Sequence, residues 1–108
     1  MIVYEVNLQI DSNIREEYIP WLNFHIREIV SLNGFRKAEL LEEMNEDQNP
    51  PQDGKINLII HYELETYNDL KNYFDNHAQK MREEGMKKFG GKFTATRRIL
   101  KDLETFKG

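Results

Sequence analysis

The chain has 108 residues, of which 39% are hydrophobic and 31% are charged, a composition typical of one folded domain. Its formal net charge of −4 argues against nucleic-acid binding, because such domains usually carry an excess of Lys and Arg. The lack of cysteine excludes disulfides, thiolate catalysis and cysteine-ligated metals. The longest apolar run, at residues 58–60, is too short to cross a membrane. Residues 1–10 lack the apolar core of a signal peptide, so we expect a cytoplasmic protein.

The first part of the chain predicts a strand, a helix and a second strand. Residues 2–10 alternate apolar and polar side chains with the period of two expected for a strand with one apolar face. A cluster of potential N-cap side chains and a helical apolar stripe follow. Pro20 predicts either a kink or the start of a main helix that runs to Leu32. The pair Asn33-Gly34 favours a helix end, and residues 35–44 have the polar pattern of an edge strand.

The second part repeats this order after a connecting loop. Residues 45–54 form that loop, which contains two of the three prolines. Alternating side chains predict a third strand over residues 55–65, and Thr66-x-x-Asp69 matches a capping box that opens a second helix. That helix is predicted to end at Gly90-Gly91, and a fourth strand follows over residues 92–101.

The predicted order βαββαβ corresponds to one ferredoxin-like α+β domain over residues 1–108, with a short C-terminal tail at 103–108. Right-handed crossovers place both helices on one face of a four-stranded antiparallel sheet. The other face is too polar for a monomer core but apolar enough to contact a partner sheet. We therefore expect a homodimer that pairs through this open sheet face, using apolar residues that include Val3, Ile59 and Leu100.

Motifs along nearly the whole chain carry a family resemblance. They are the opening VYEVNL, the spacing Trp21-x-x-x-His25, the turn Asn33-Gly34-Phe35, the strand around Tyr62, the pair His77-Ala78 and the closing FGGKFTATRRIL. Together they resemble a family of small bacterial proteins that is classed only as a domain of unknown function. In fold this family is similar to dimeric α/β-barrel proteins, which include cofactor-independent antibiotic-biosynthesis monooxygenases, EthD-like proteins and haem-degrading enzymes. The resemblance implies a dimeric α/β barrel and no particular reaction, because one fold supports many chemistries.

Six side chains on the predicted helix-facing layer are candidates for a ligand site: Tyr4, Trp21, His25, Tyr62, His77 and Arg97. The histidines and the arginine lie on otherwise apolar stripes, and a buried arginine requires a carboxylate, a carbonyl or an anionic ligand. In a cleft, the arginine would anchor an anion, a histidine would exchange a proton, and the aromatic rings would form walls. Each residue also has the alternative interpretation of a core residue whose polar atoms bond to the protein.

These observations predict a dimeric module that binds a small aromatic or anionic molecule, without a cofactor and without nucleic-acid or membrane partners. One alternative is a cofactor-independent enzyme, such as a monooxygenase or an isomerase, that uses the same pocket. Another is a protein-interaction dimer that uses the acidic loop 45–54 or the exposed helix faces. No metal is expected, because the three histidines lie on different elements without metal-ligand spacing. Arg98 points away from Arg97 and has the alternative of an ion pair with Glu5 or Glu63 across a dimer.

Overall fold

A computed structural model describes residues 1–44 and 54–108 of the chain. A 3-10 turn at Ser12–Ile14 precedes the first α-helix. Apart from Gly54, the predicted loop 45–54 lies outside the described residues. The elements in chain order are β1 (Ile2–Asp11), α1 (Arg15–Val30), β2 (Phe35–Glu42), β3 (Lys55–Leu64), α2 (Tyr67–Asn76), α3 (Ala78–Phe89) and β4 (Phe93–Lys101).

The strands form one antiparallel sheet in the order β2-β3-β1-β4. Along β3, buried and half-buried residues alternate strictly, because one face of the sheet lies under the helices and the other is open. In register, Tyr4 lies opposite Tyr62, and Val6 lies opposite both Ile60 and Arg97. This order confirms the predicted ferredoxin-like α+β fold.

The core lies between the helix-facing side of the sheet and the apolar stripes of the helices. α1 contributes Tyr18, Leu22 and Ile29, whose spacing places them on one face of the helix. Burying one such side chain contributes about 1.5–3 kcal/mol to stability. The strands contribute every second residue, among them the fully buried Ile10, Leu58, Ile60, Tyr62 and Leu64.

Gly34 links the turn after α1 to the start of α2. Its φ is +91°, a conformation that glycine adopts without strain. A Cβ added to Gly34 would lie only 2.5 Å from Asp69 Cβ, so the turn packs directly on that side chain. Asp69 also completes the predicted capping box, which is confirmed: Thr66 Oγ1 accepts from the Asp69 amide and Asp69 Oδ2 accepts from the Thr66 amide, both at 3.2 Å.

The second predicted helix is in fact two helices. α2 ends before His77 and α3 begins after it, and His77 itself has φ −132° and ψ −32°, outside the helical region. The backbone stays bonded through the break, because the His77 amide donates to Tyr73 O at 2.8 Å and His77 O accepts from the Met81 amide at 3.1 Å. Neither proline nor glycine occurs at this point, so no local pattern predicts the break.

The first helix begins earlier than one of the two predictions for it. α1 starts at Arg15 and passes through Pro20, so a main helix that begins at Pro20 is wrong. The proline lies in the second turn, and the only backbone bond it removes is the one to the Glu16 carbonyl. The predicted N-cap side chains make no capping bond, and Asp11 pairs with Lys55 instead.

Candidate functional site

A cavity lies between α1, α3 and the helix-facing side of the sheet. Its volume is about 60 Å³, room for roughly two water molecules, and it is only partly enclosed. His77 does not line it, and its ring stacks on Tyr73 instead, with 6.4 Å between centroids. Arg82 of α3 lines it without having been predicted. The other five side chains predicted from the sequence surround this one space: Tyr4, Trp21, His25, Tyr62 and Arg97.

Trp21 forms one wall of the cavity. Its indole stacks on the His25 ring with 4.7 Å between centroids and 19° between planes. Tyr18 and Phe89 pack against the same indole at centroid distances of 5.6 and 5.4 Å. On α3, a Cβ added to Gly85 would lie 3.3 Å from Trp21 Cη2, so glycine lets the two helices approach closely. These contacts fix the orientation of the only tryptophan in the chain.

Tyrosine rings contribute much of the remaining lining. Tyr4 and Tyr62 face each other from β1 and β3 with 5.9 Å between centroids, and Tyr73 lies 6.1 Å from Tyr4. Burial raises the pKa of Tyr62 far above its ordinary value, and it raises the pKa of Tyr73 and that of Tyr18 to about 12. The hydroxyls of these three residues are therefore neutral at physiological pH, so each has a proton to donate.

His25 brings a buried polar atom to the cavity. The exposed fraction of its side chain is 14%, and Nδ1 has no hydrogen-bond partner within the part of the chain that the structure describes. Glu84 Oε2 lies 3.9 Å from Nδ1, beyond hydrogen-bond distance. Burial lowers the pKa of His25 despite this carboxylate, so the ring is neutral at pH 7. A neutral imidazole has one nitrogen that donates a hydrogen bond and one that accepts, so Nδ1 takes either role according to the tautomer.

Arg97 stands at the edge of this layer. It faces the helices from β4, opposite Val6, but β4 is an edge strand and the Arg97 side chain is exposed. The expectation of a buried arginine is therefore wrong, because the helices leave this part of the edge strand uncovered. Its positive charge still reaches the cavity, where it opposes the rise in the pKa of Tyr18 and Tyr62. No carboxylate within residues 1–44 and 54–108 pairs with Arg97.

Arg82 is the functional candidate that the sequence did not reveal. Its Nη2 donates to the Tyr4 hydroxyl at 3.4 Å, and its guanidinium lies 5.9 Å from the centre of the Phe74 ring. Like Arg97, it is exposed and lines the cavity. In the described ranges it too makes no ion pair with a carboxylate. In a continuous second helix, Arg82 would belong to a run of charged residues on the solvent-exposed face. The break at His77 is the feature that separates it from that arrangement.

The opposite face of the sheet carries the Glu5 cluster, which consists of Glu5, Asn7, His61 and Arg98. Arg98 donates to both carboxylate oxygens of Glu5, His61 Nε2 lies 2.7 Å from Oε1, and Asn7 Nδ2 donates at 2.9 Å. These bonds, the one from Arg98 first, lower the pKa of Glu5 to about 2. Although Glu5 is only 5% exposed, its charge is thus well compensated. The ion pair considered across a dimer is made within one chain.

Histidine and acidic side chains are dispersed over the described residues. No group of three or more histidine, aspartate or glutamate side chains there lies close enough together to hold a metal ion. No helix in the same ranges combines the length and the apolar character needed to cross a membrane.

A comparison with family models assigns most of the chain. The model described as "Domain of unknown function (DUF4286)" matches residues 1–103. The chain belongs to the DUF4286 family. The expected resemblance to a family classed as a domain of unknown function is thereby confirmed. No curated protein matches this DUF4286 protein in sequence.

Solved structures of other proteins share the fold of the DUF4286 protein. A candidate antibiotic biosynthesis monooxygenase from Deinococcus radiodurans has a TM-score of 0.66 and 9% identity, with 100% of each chain covered. An ethyl tert-butyl ether D (EthD) family protein from Bacillus halodurans has a TM-score of 0.63 and 16% identity, covering 95% of this chain and 100% of its own. Hydroxynitrile lyase from Passiflora edulis has a TM-score of 0.63 and 12% identity, covering 96% and 97%. At these identities the similarity concerns the fold alone.

Proposed function

We propose that this DUF4286 protein binds a small aromatic or anionic molecule in the cavity between α1, α3 and the sheet. The observation that carries the proposal is the buried Nδ1 of His25, which lacks a hydrogen-bond partner among the described residues. Such an atom destabilises a fold by about 1–3 kcal/mol unless something bonds to it. A polar ligand group that accepts from or donates to this nitrogen, according to the tautomer, would supply that bond, while the indole and tyrosine rings contact the apolar part of the ligand.

The volume of the cavity limits how much of a ligand is enclosed. About 60 Å³ is well below the 300–1,000 Å³ or so of a typical small-molecule pocket. The ligand would therefore insert a small group and leave the rest at the open side. Arg82 and Arg97 are exposed lining residues with long side chains, so they stand at that open side and are able to move around a ligand.

Tryptophan fluorescence tests the proposal directly, because Trp21 is the only tryptophan and forms a cavity wall. We expect some compounds of a library of small aromatic and anionic molecules to change this fluorescence and to raise the unfolding temperature together. His25→Phe removes the unpartnered nitrogen and should weaken binding. His77→Phe makes the same change outside the cavity and should leave binding unchanged. A library in which no compound moves both signals would contradict the proposal.

A cofactor-independent enzyme that uses the same cavity is the second candidate function. It is favoured by the neutral state of His25, because a neutral imidazole whose Nδ1 has no partner in the described residues is able to exchange a proton with a substrate. Two proteins of similar fold carry enzyme names, a candidate monooxygenase and a hydroxynitrile lyase, which supports the idea at the level of fold only. Mass spectrometry of each bound compound after incubation tests it. Product formation that is lost in His25→Phe supports catalysis, and ligands recovered unchanged contradict it.

The proposal includes self-association through the open sheet face. This face carries the half-buried apolar residues Val3, Ile59 and Leu100 around the well-paired Glu5 cluster, so a second copy would cover apolar surface without isolating a charge. An interaction dimer without any ligand is the third candidate. The cytoplasmic location stays a prediction.

Analytical ultracentrifugation tests this pairing. Leu100→Glu adds an unpaired negative charge to the open face beside the Glu5 cluster and should shift the protein towards the monomer. Met86→Glu adds the same charge to an exposed apolar position on α3 and should leave the sedimentation coefficient unchanged. A wild-type protein that sediments as a monomer at all concentrations, or equal behaviour of the two variants, would contradict pairing through this face.

A further inference from the structure

We infer that the ligand of this cavity is a small organic carboxylate, bound by the guanidinium groups of Arg82 and Arg97. The inference rests on the proposed function and adds the chemical class of the ligand and the residues that select it.

The first step is the placement of two positive charges around one space. Arg97 reaches the cavity from β4 and Arg82 reaches it from α3, so the two guanidiniums approach from different layers of the fold. The Tyr4 hydroxyl, which accepts from Arg82 at 3.4 Å, lies on the strand next to Arg97. The charge of Arg97 acts on Tyr18, Tyr62 and Tyr73, and that of Arg82 acts on Tyr73. Both cations therefore face the same group of tyrosines.

The second step is the absence of counter-charge within the described residues. Glu5, the buried carboxylate nearest to Arg97 in the strand register, belongs to the opposite sheet face and is occupied by Arg98. Glu84 faces His25 Nδ1 and makes no ion pair with either arginine. Two other exposed arginines on this chain do pair, Arg15 with Glu42 and Arg36 with Glu65. The two cations in the cavity are thus left available to an external anion.

The third step is the balance of donors and acceptors in the lining. Two guanidiniums and several neutral tyrosine hydroxyls donate hydrogen bonds, and His25 Nδ1, unpaired in the described residues, is a further donor in the tautomer that carries the proton there. A carboxylate accepts about four hydrogen bonds and binds guanidiniums in bidentate geometry, so it complements this lining better than a neutral group does. A carboxylate head group is also small enough to enter a space of about 60 Å³, whereas a benzene ring occupies a cavity of about 150 Å³.

Matched acid and amide pairs test the inference, because an amide keeps the shape of a carboxylic acid without its charge. The probes are propionate with propionamide and benzoate with benzamide, titrated against the full chain at fixed low ionic strength with Trp21 fluorescence as the readout. We expect the acid of at least one pair to bind about tenfold to hundredfold more tightly than its amide. Arg82→Met and Arg97→Met should each lower the affinity for the acid by about the same factor and leave the affinity for the amide unchanged.

Two variants separate a specific effect of the arginines from a loss of fold or of net charge. Arg27→Met removes an exposed arginine from the outer surface of α1 and should not change acid binding. Arg97→Lys keeps the charge without the planar fork and should restore part of the affinity lost in Arg97→Met. All variants should keep the wild-type far-UV spectrum and unfolding midpoint within a few degrees.

The outcomes distinguish the inference from the proposed function. Binding of acid and amide with equal affinity, or unchanged acid binding in both arginine variants, would overturn the carboxylate site. In that case, neutral compounds that bind in a His25-dependent way would leave the proposed function standing. If neither the probes nor the larger library changed Trp21 fluorescence, the result would contradict both the carboxylate site and the proposed function.

Discussion

The two faces of the sheet differ in how completely their polar side chains are paired. On the open face, Glu5 is almost fully buried, yet three neighbouring side chains bond to its carboxylate. On the helix-facing side, His25 is buried with an unpartnered nitrogen, and Arg97 has no carboxylate partner in the described ranges. A polar group whose bonds are complete is explained by the fold itself. A polar group whose bonds are incomplete requires a reason outside the fold, and a ligand is such a reason.

The comparison is strongest between neighbours in sequence. Arg97 and Arg98 are consecutive, but the strand turns their side chains to opposite faces, and only Arg98 finds a carboxylate. Ile59 and Ile60 are related in the same way on β3, half-buried and buried respectively. These adjacent pairs serve as matched controls, since the amino acid and the local backbone are the same and only the face differs.

The largest expected effect separates the two isoleucines. Ile60→Ala should lower the free energy of unfolding by about 2–5 kcal/mol, because Ile60 is 2% exposed and its removal leaves a cavity in the core. Ile59→Ala should cost about 1 kcal/mol in the monomer. Urea denaturation at low and high protein concentration measures both. If Ile59→Ala lowers the free energy of unfolding more at high than at low protein concentration, the result supports pairing through the open face. If Ile59→Ala and Ile60→Ala lower it equally at every concentration, the result contradicts the comparison.

The next effect concerns the charge of Glu5. Glu5→Gln should cost about 1–2 kcal/mol at pH 7, less than the full pKa shift implies, because Arg98 is largely exposed to solvent. The folded-state pKa of about 2 lies below the ordinary 4.5, so this contribution is complete above pH 4.5 and is lost as the pH falls towards 2. Urea denaturation across this range measures it, with the exposed Glu16→Gln as control. A variant difference that does not shrink in acid would refute this account of the Glu5 cluster.

Smaller changes in the free energy of unfolding are expected at His25 and His61, and the two changes should have opposite signs. His25→Phe should stabilise the protein by about 1 kcal/mol, because it removes a buried nitrogen that has no hydrogen-bond partner in the described residues. His61→Phe should destabilise it by less than about 1 kcal/mol, since its bond to Glu5 is lost at a half-exposed position. Thermal unfolding at pH 7 measures both.

Below pH 6.5, the wild type should also lose stability relative to His25→Phe. Burial lowers the pKa of His25, so the unfolded chain binds the proton more readily than the folded chain does. Destabilisation by His25→Phe would mean that the nitrogen is already satisfied.

The smallest effect is expected at the two arginines. Arg97→Met should change the free energy of unfolding by no more than about 0.5 kcal/mol, because the side chain is exposed and has no carboxylate partner in the described residues. Arg98→Met should cost more than Arg97→Met, through the loss of its bonds to Glu5. Differential scanning calorimetry resolves such differences, and a larger cost at Arg97 than at Arg98 would show that Arg97 has a structural partner.

The sequence predicts those features that depend on neighbouring residues. The alternation along β1 and β3 depends only on the pleat of a strand, and it correctly places Tyr4 and Tyr62 on the buried face. The Thr66-x-x-Asp69 box is equally local and is confirmed, whereas α1 ends at Val30, before the predicted Leu32, and Gly34 lies in the turn that follows. The fold follows from such signals in order, because few topologies fit βαββαβ.

Other features depend on the assembled sheet and therefore escaped prediction. The exposure of Arg97 follows from the position of β4 at the sheet edge, which its own alternation does not encode. The sequence suggests a pair between Arg98 and Glu5 only across a dimer, because pairing of Glu5 with Arg98 and His61 within one chain requires β1 to lie between β3 and β4 in a particular register. Arg82 enters the cavity on a helix that restarts after His77, and neither proline nor glycine marks that restart.

The contact between Gly34 and Asp69 couples two segments in local unfolding. One carboxylate both caps α2 and fills the space that a side chain at Gly34 would need. A substitution at Gly34 would therefore displace the Asp69 side chain and weaken the N-terminal cap of α2, a helix far along the chain. In amide exchange, the α1–β2 turn and the first turn of α2 should open together as a single cooperative unit.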